Sequence, residues 1–364
     1  MTIGIDASNI RTGGGKKHLE QFVFNALNKN NKITFIIVSN NYINKSFYGI
    51  KNIKCLTNRL LNSGNISSFI SQIFYSSFYF KRNKCNYVFV PGGIFLASFK
   101  PFFTMSQNML PFDNDSLQGF PLIKRFKFIL IKKLQLFSFN RSNGIIFLTD
   151  FAKIKISKHF SKKLKTIVIP HGIAQKKENL YLNNKDDFKI LYVSDFLPYK
   201  NNLNVFIAVS ELINEGYNIS LSLIGRKDYY QFNEMKKIFQ KHSHLKENIK
   251  ITGHIPNNDI EKFYKETSLF LFASSCENLP FIVLEALSFG LPIITSNKSP
   301  MKDMVYGLNV LFNPSDKNDI KRVILNNMES KKLNEMSNHN FRLSNQYQWK
   351  KNAKATIDFF NANI

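Results

Sequence analysis

Short apolar runs alternate with longer amphipathic stretches along the whole chain, the pattern of repeated β–α units. In the first half the apolar runs predict strands over 2–6, 33–38, 53–56, 87–90, 103–106, 144–148 and 166–169. Helical spacing between them predicts helices over 15–28, 66–81, 122–140 and 150–160. Pro170-His171-Gly172 closes this half, and the polar stretch 175–187 reads as a linker. The pattern then restarts, with strands predicted over 189–194, 219–224, 249–252, 269–272, 293–295 and 309–312. The helices among these are predicted over 202–215, 231–242, 257–266, 280–289, 316–327 and 331–345. Such alternation points to two α/β domains, each a doubly wound sheet, divided near residues 172 and 173.

One stretch carries polar residues where the pattern asks for apolar ones. Glu277 falls in a polar loop, Ser274-Ser275-Cys276-Glu277-Asn278, just after the apolar strand ending at Phe272. Glu285, eight positions on, lies inside the run from Phe281 to Leu287, which reads as a buried helix stopped by Gly290 and Pro292. A carboxylate among Val283, Leu284, Ala286 and Leu287 is costly to bury unless it accepts strong hydrogen bonds. At the carboxyl edge of a sheet the natural donors are ligand hydroxyls, and a sugar or ribose diol offers two. Taken singly, Glu277 reads as a solvated loop residue and Glu285 as a residue at a helix edge.

The whole string, with Gly290-Leu291-Pro292 in register, resembles the donor-site signature of the retaining, nucleotide-sugar-dependent glycosyltransferases of family 4, or group 1. The resemblance covers nearly the whole chain and is strongest from 189 to 312. It implies the glycosyltransferase B fold, two Rossmann-like doubly wound domains facing each other across a cleft. The acceptor domain would be 1–172 and the nucleotide-sugar donor domain 173–345. The last segment, 346–364, carries Trp349 and an apolar face, and in that fold crosses back onto the first domain. By the same resemblance Glu285 holds the donor ribose, and Glu277, with the backbone of Asn278 and Leu279, holds the sugar.

Further segments extend the resemblance. Gly13, Gly14 and Gly15 follow the first strand and open a helix, so the backbone can approach an anion such as a diphosphate closely. The glycines lack the spacing of the dinucleotide fingerprint. Next to them, Lys16 and Lys17 read as solvated, and His18 as solvated or inward-pointing. In the second half, Ser194-Asp195-Phe196-Leu197-Pro198-Tyr199-Lys200-Asn201 is similar to the family segment whose lysine binds the donor diphosphate, which makes Lys200 the matching cation. Charge builds on a leaving nucleoside diphosphate, so a cation there stabilises the transition state. Many members carry an arginine five residues earlier; here that position is Asp195, and Arg226 is the candidate substitute. The loop at 251–256, which includes His254 and Ile255, looks like the family loop that packs on the nucleobase through backbone groups. In the first half, the Asn-x-x-Pro-Phe loop from Asn108 resembles one in related polysaccharide enzymes and makes Asn108 a cleft candidate. Asp303 reads as a helix N-terminal acid. Asp113-Asn114-Asp115 has the form of a metal-binding Asp-x-Asp string, but the surrounding chain does not match the fold that uses it. Accordingly no metal and no cofactor is expected beyond the donor substrate.

Charge changes the picture of partners. The 364 residues carry a net charge of +25, and residues 1–170 hold 25 Lys/Arg against 5 Asp/Glu. The first domain therefore faces something anionic: nucleic acid, an acidic leaflet or an acidic polymer. No recognised nucleic-acid module appears, so specific nucleic-acid binding is not expected. Basic residues border two amphipathic stretches, 66–77 and 122–139, which suits an anionic membrane surface. No uncharged apolar run is long enough to span a bilayer. Cys55, Cys85 and Cys276 have no pairing or metal-ligand spacing, which fits a reducing compartment.

These readings converge on an expected function. The chain would be a metal-independent, retaining hexosyltransferase of bacterial surface-polysaccharide assembly, in the cytoplasm at the inner face of the membrane. It would take a nucleotide-sugar donor and a lipid-linked saccharide acceptor. The competing readings are a non-catalytic nucleotide-sugar-binding subunit, which Asp195 keeps open, an epimerase on the same fold and a basic nucleic-acid-binding protein.

Overall fold

In the computed structural model, residues 1–11, 13–29, 32–181, 187–226, 230–305 and 307–364 are described. Thr12 of the glycine turn and 182–186 of the predicted linker lie outside them. The described chain forms two compact units. The first comprises 1–112, 122–172 and 348–364; the second comprises 113–121 and 173–347. Residues 113–121, read from the sequence with the first half, pack with the second unit, and the final helix belongs to the first.

The first unit is built on strands β1 (Thr2–Asp6), β2 (Thr34–Val38), β3 (Ile53–Leu56), β4 (Tyr87–Val90), β5 (Phe102–Ser106), β6 (Gly144–Phe147) and β7 (Thr166–Val168). They form one parallel sheet in the order β3-β2-β1-β4-β5-β6-β7. Its central strands β4 and β5 are buried throughout, as a parallel sheet covered on both faces requires, and so read as unbroken apolar runs. Aromatic rings fill the space under the sheet. Phe360 of the last helix, Trp349–Asn361, lies 4.7 Å from Phe103, 5.1 Å from Phe89 and 5.3 Å from Tyr87, ring centre to ring centre. Gly144 is what admits that helix: a Cβ there would sit 2.7 Å from the Phe359 ring.

The second unit repeats the plan with β8 (Phe188–Val193), β9 (Ile219–Ile224), β10 (Ile249–Gly253), β11 (Leu269–Phe272), β12 (Ile293–Ser296) and β13 (Leu311–Phe312). The order is β10-β9-β8-β11-β12-β13, again parallel. Both sheets are doubly wound: the strand order turns back between β1 and β4 in the first and between β8 and β11 in the second.

Two features lay beyond the apolar pattern. Helices as short as Asn41–Asn44, Asn114–Leu117 and Leu245–Asn248 span about one turn, too little for periodicity to register. The helix predicted over 66–81 is interrupted by a π-helical stretch at Gln72–Ser76 between Asn65–Ser71 and Ser77–Arg82.

Candidate active site

The second sheet presents a polar cluster where its strand order reverses. The loop after β8 carries Lys200, and the loop after β11 carries Glu277. A 3-10 turn at Pro198–Lys200 is followed by Asn201 in the left-handed region, φ 53°, which Asn tolerates better than most residues. That conformation aims the Asn201 amide across to the neighbouring loop, where it donates to the Ala273 carbonyl at 2.8 Å and to Ser275 Oγ at 2.9 Å. In return the Ser275 amide donates to the Tyr199 carbonyl at 2.8 Å. The two loops are thus stitched together, and Lys200 Nζ bonds to Glu277 Oε1. Both side chains are largely buried, 12% and 14% exposed. The ammonium also lies 5.2 Å from the ring centres of Tyr199 and Phe272. Burial, and then the Glu277 carboxylate, push the Tyr199 hydroxyl well above its ordinary range.

Glu285 sits on the helix Phe281–Ser288 and is half-buried. Its Oε2 accepts from Tyr264 Oη at 3.1 Å. Tyr264 comes from the helix Asn257–Glu266 and is buried; burial first, then the Glu285 charge, raise its hydroxyl well above the usual range. The sequence reading looked to ligand hydroxyls for the partners of Glu285. Part of that role falls to a tyrosine of the protein, which no spacing in the sequence signals. Asn278 and Leu279, between the two glutamates, are buried in the loop just before this helix, and Ile255 is half-buried in the loop after β10.

Asp195 and Arg226 form a two-point contact. Asp195 Oδ2 accepts from Arg226 Nε at 3.1 Å and from NH2 at 2.5 Å, while Oδ1 accepts from the Arg226 amide at 3.1 Å. Burial alone would raise the Asp195 carboxyl, but these bonds outweigh it and hold it below the ordinary carboxylate range. The acid that stands where an arginine was expected therefore holds an arginine from the next strand's loop. Segment 113–121 packs on the same turn as Lys200. Phe120 lies 6.2 Å from Tyr199, and a Cβ on Gly119 would come within 2.5 Å of Pro198. In this segment Asp113 accepts from Ser116 Oγ at 3.0 Å. No group of three or more potential metal ligands occurs among the described residues.

In the first unit the glycine turn and the loop after β5 meet. Gly13 and Gly14 are exposed and open the helix Gly13–Lys29, with Gly13 at φ 66°. A Cβ on Gly15 would lie 3.8 Å from Gln107 Oε1. Asn108, next in that loop, is exposed, and its side chain accepts from the Leu110 amide at 3.0 Å. Arg11 ties the turn to the chain at 61–68, donating to the carbonyls of Leu61 at 2.7 Å and Gly64 at 2.6 Å. His18 points inward, fully buried, with its Nδ1 3.1 Å from Nδ1 of His171, which is also buried. Trp349 stands beside both rings.

Residues 174–343 match the family model of glycosyl transferases group 1. Protein CapJ of Staphylococcus aureus is 28% identical over 176 residues, which is 48% of this chain and 43% of that protein. The UDP-Gal:alpha-D-GlcNAc-diphosphoundecaprenol alpha-1,3-galactosyltransferase of Escherichia coli is 26% identical over 181 residues, 46% of each. The chain thus spans about half the length of the curated relatives it matches. The Anabaena protein HepE, solved in complex with UDP-glucose, superposes with a TM-score of 0.74 over 100% of both chains at 13% identity.

Proposed function

We propose that this chain, which carries a group 1 glycosyltransferase domain on a glycosyltransferase B fold, is a retaining hexosyltransferase of bacterial surface-polysaccharide assembly, acting in lipopolysaccharide O-antigen or capsule synthesis. The donor is a nucleoside diphosphate sugar and the acceptor a lipid-linked saccharide. The observation that carries the reading is the Lys200–Glu277 pair, held by interlocked loops at the point where the second sheet reverses its strand order. Ligands of doubly wound sheets bind there.

In this mechanism Lys200 stabilises the charge that builds on the departing diphosphate. Glu277, with the backbone at Asn278 and Leu279, orients the sugar, and Glu285 takes the ribose hydroxyls while Tyr264 steadies its carboxylate. Arg226, anchored by Asp195, supplies a second cation. In the first unit, the resemblance points to the glycine turn at 13–15 and to Asn108. The acceptor hydroxyl attacks the anomeric carbon on the face the diphosphate leaves, and the leaving phosphate oxygen takes its proton. No metal and no further cofactor enters these steps.

The acceptor class is supported by the E. coli relative, whose name describes transfer onto a sugar linked to diphosphoundecaprenol. An acceptor of that kind places the enzyme at the inner face of the cytoplasmic membrane, and the basic first half suits an anionic surface. The test is transfer from a panel of labelled nucleotide sugars to diphosphoundecaprenol-linked saccharides, with the anomeric configuration of the product read by NMR. Retained configuration is expected. An inverted product, or nucleotide-sugar binding without transfer to any acceptor, would overturn the mechanism.

A further inference from the structure

Two helical segments of the first unit are built inside out. Along 65–82 the buried residues are Ser68, Ser71, Gln72, Ser76 and, near the end, Phe80; Gln72 and Ser76 donate to the buried Asp6 carboxylate at 3.0 and 2.7 Å. The opposite face carries Ile66, Ile70, Ile73, Phe74 and Phe78, with Ile66 79% and Phe74 71% exposed. The helix Leu122–Arg141 does the same. It buries Gln135, Ser138 and Phe139, and leaves Ile123, Phe126 and Leu130 exposed, Ile123 by 85%. A helix whose outer face meets water carries the opposite arrangement.

The inner faces of the two helical segments hold one strip of chain. Gln72 donates to the Ile94 carbonyl at 3.0 Å and accepts from the Leu96 amide at 2.8 Å. Between these contacts the Phe95 amide donates to Ser138 Oγ at 2.8 Å, and Arg141 donates to the Ala97 carbonyl at 2.9 Å. Alternate residues of 94–97 are thus gripped by alternate helices, which sets the two side by side.

The charge around them selects the occupant. No Asp or Glu occurs between Glu20 and Asp113, or between Asp115 and Asp150, while Arg59, Lys81, Arg82, Lys124, Lys127 and Lys133 flank the apolar residues. A second copy of the chain would bring the same excess of basic residues to this face and be repelled. An anionic bilayer satisfies both features, apolar depth below and negative headgroups around. No helix among the described residues is long and apolar enough to cross it.

We propose that segments 65–82 and 122–141 lie in the plane of an anionic bilayer, with their exposed Ile, Leu and Phe side chains in the acyl boundary. Apolar insertion, and not charge alone, holds the protein there. The inference rests on the membrane placement proposed above and not on the donor assignment.

The test is co-sedimentation of the full chain with phosphatidylglycerol-rich vesicles at 0.1 M and 1 M salt, for the unchanged protein and for F74S/F78S and F126S/L130S. All four positions are exposed, so the folded state should survive, which thermal unfolding checks. Binding by the unchanged protein should fall only a few-fold at 1 M salt, where charge is screened within ~3 Å. Each double variant should lose binding by at least ~10-fold at both salts. Binding that vanishes at 1 M salt, or variants that bind as the unchanged protein does, would overturn the proposal. So would a dimer in sedimentation equilibrium that these variants dissociate without losing vesicle binding, because a second copy would then cover the face. A chain that turns over no nucleotide sugar, yet loses vesicle binding in both variants, would sink the catalytic reading and leave this one standing.

Discussion

The ammonium of Lys200 is bonded to the carboxylate of Glu277, 77 residues away in the chain, and neither side chain is more than 14% exposed. The cation proposed for the diphosphate is thus paired with the carboxylate proposed for the sugar. In the proposed mechanism, a donor taking over Lys200 would release Glu277 to the sugar hydroxyls and link the two roles by one exchange of partners.

Lys200→Ala should therefore lower kcat on the order of 100-fold, with a smaller change in donor affinity, because phosphate charge grows toward the transition state. It also strands the Glu277 carboxylate, at a stability cost on the order of 1.5–3 kcal/mol. Lys200→Met combined with Glu277→Gln should recover most of that loss in denaturant unfolding. Unchanged kcat in Lys200→Ala would return the phosphate role to Arg226.

Glu285→Ala should abolish donor binding. It also leaves the buried Tyr264 hydroxyl without its acceptor, so a stability loss on the order of 1–3 kcal/mol is expected alongside. Tyr264→Phe isolates the smaller effect: donor affinity should fall by about 3- to 10-fold, the worth of one hydrogen bond. Calorimetry that finds donor affinity unchanged in Glu285→Ala would remove this residue from the site.

Much of this was legible in the sequence. The strands of both sheets stand out because parallel strands buried on both faces are continuous apolar runs, as at Phe102–Ser106 and Leu269–Phe272. Glu285 was legible as a carboxylate in an apolar helix. Tyr264 was not, since a tyrosine on an amphipathic helix has the same sequence whether its hydroxyl meets water or a carboxylate. The placement of 113–121 with the second unit was equally hidden, resting on Gly119 and Phe120 meeting Pro198 and Tyr199. The amphipathic stretch at 66–77 was visible, but its direction was not: the bonds of Gln72 and Ser76 to Asp6 show which face turns inward.

The buried histidine pair predicts a pH dependence of stability. Burial pushes His18 down to about 3, and His171 falls well below its ordinary value through burial, then His18, then Lys17. A group whose folded pKa lies below its unfolded value of 6.5 contributes stability above pH 6.5 that is lost as pH falls toward the folded value. Both histidines therefore predict a stability that falls as pH drops from 7.5 to 5. Denaturant unfolding at pH 7.5 and pH 5 checks this. His18→Gln should flatten the slope, and an unchanged slope would exclude the pair as its source.

Transfer should persist in excess EDTA. Activity lost in EDTA and restored by manganese or magnesium would instead make Asp113 and Asp115 metal ligands and set aside the metal-independent mechanism.

The central claim is that the second unit holds a nucleotide sugar through Lys200 and Glu285. Thermal unfolding against a panel of uridine, guanosine, adenosine and thymidine diphosphate sugars tests it most directly. One donor should stabilise the protein, by about 2.7 kcal/mol at a hundred times its Kd. Glu285→Ala should erase that shift and Lys200→Ala should reduce it. A panel in which no nucleotide sugar shifts the midpoint, or a shift that survives in both variants undiminished, would contradict the claim.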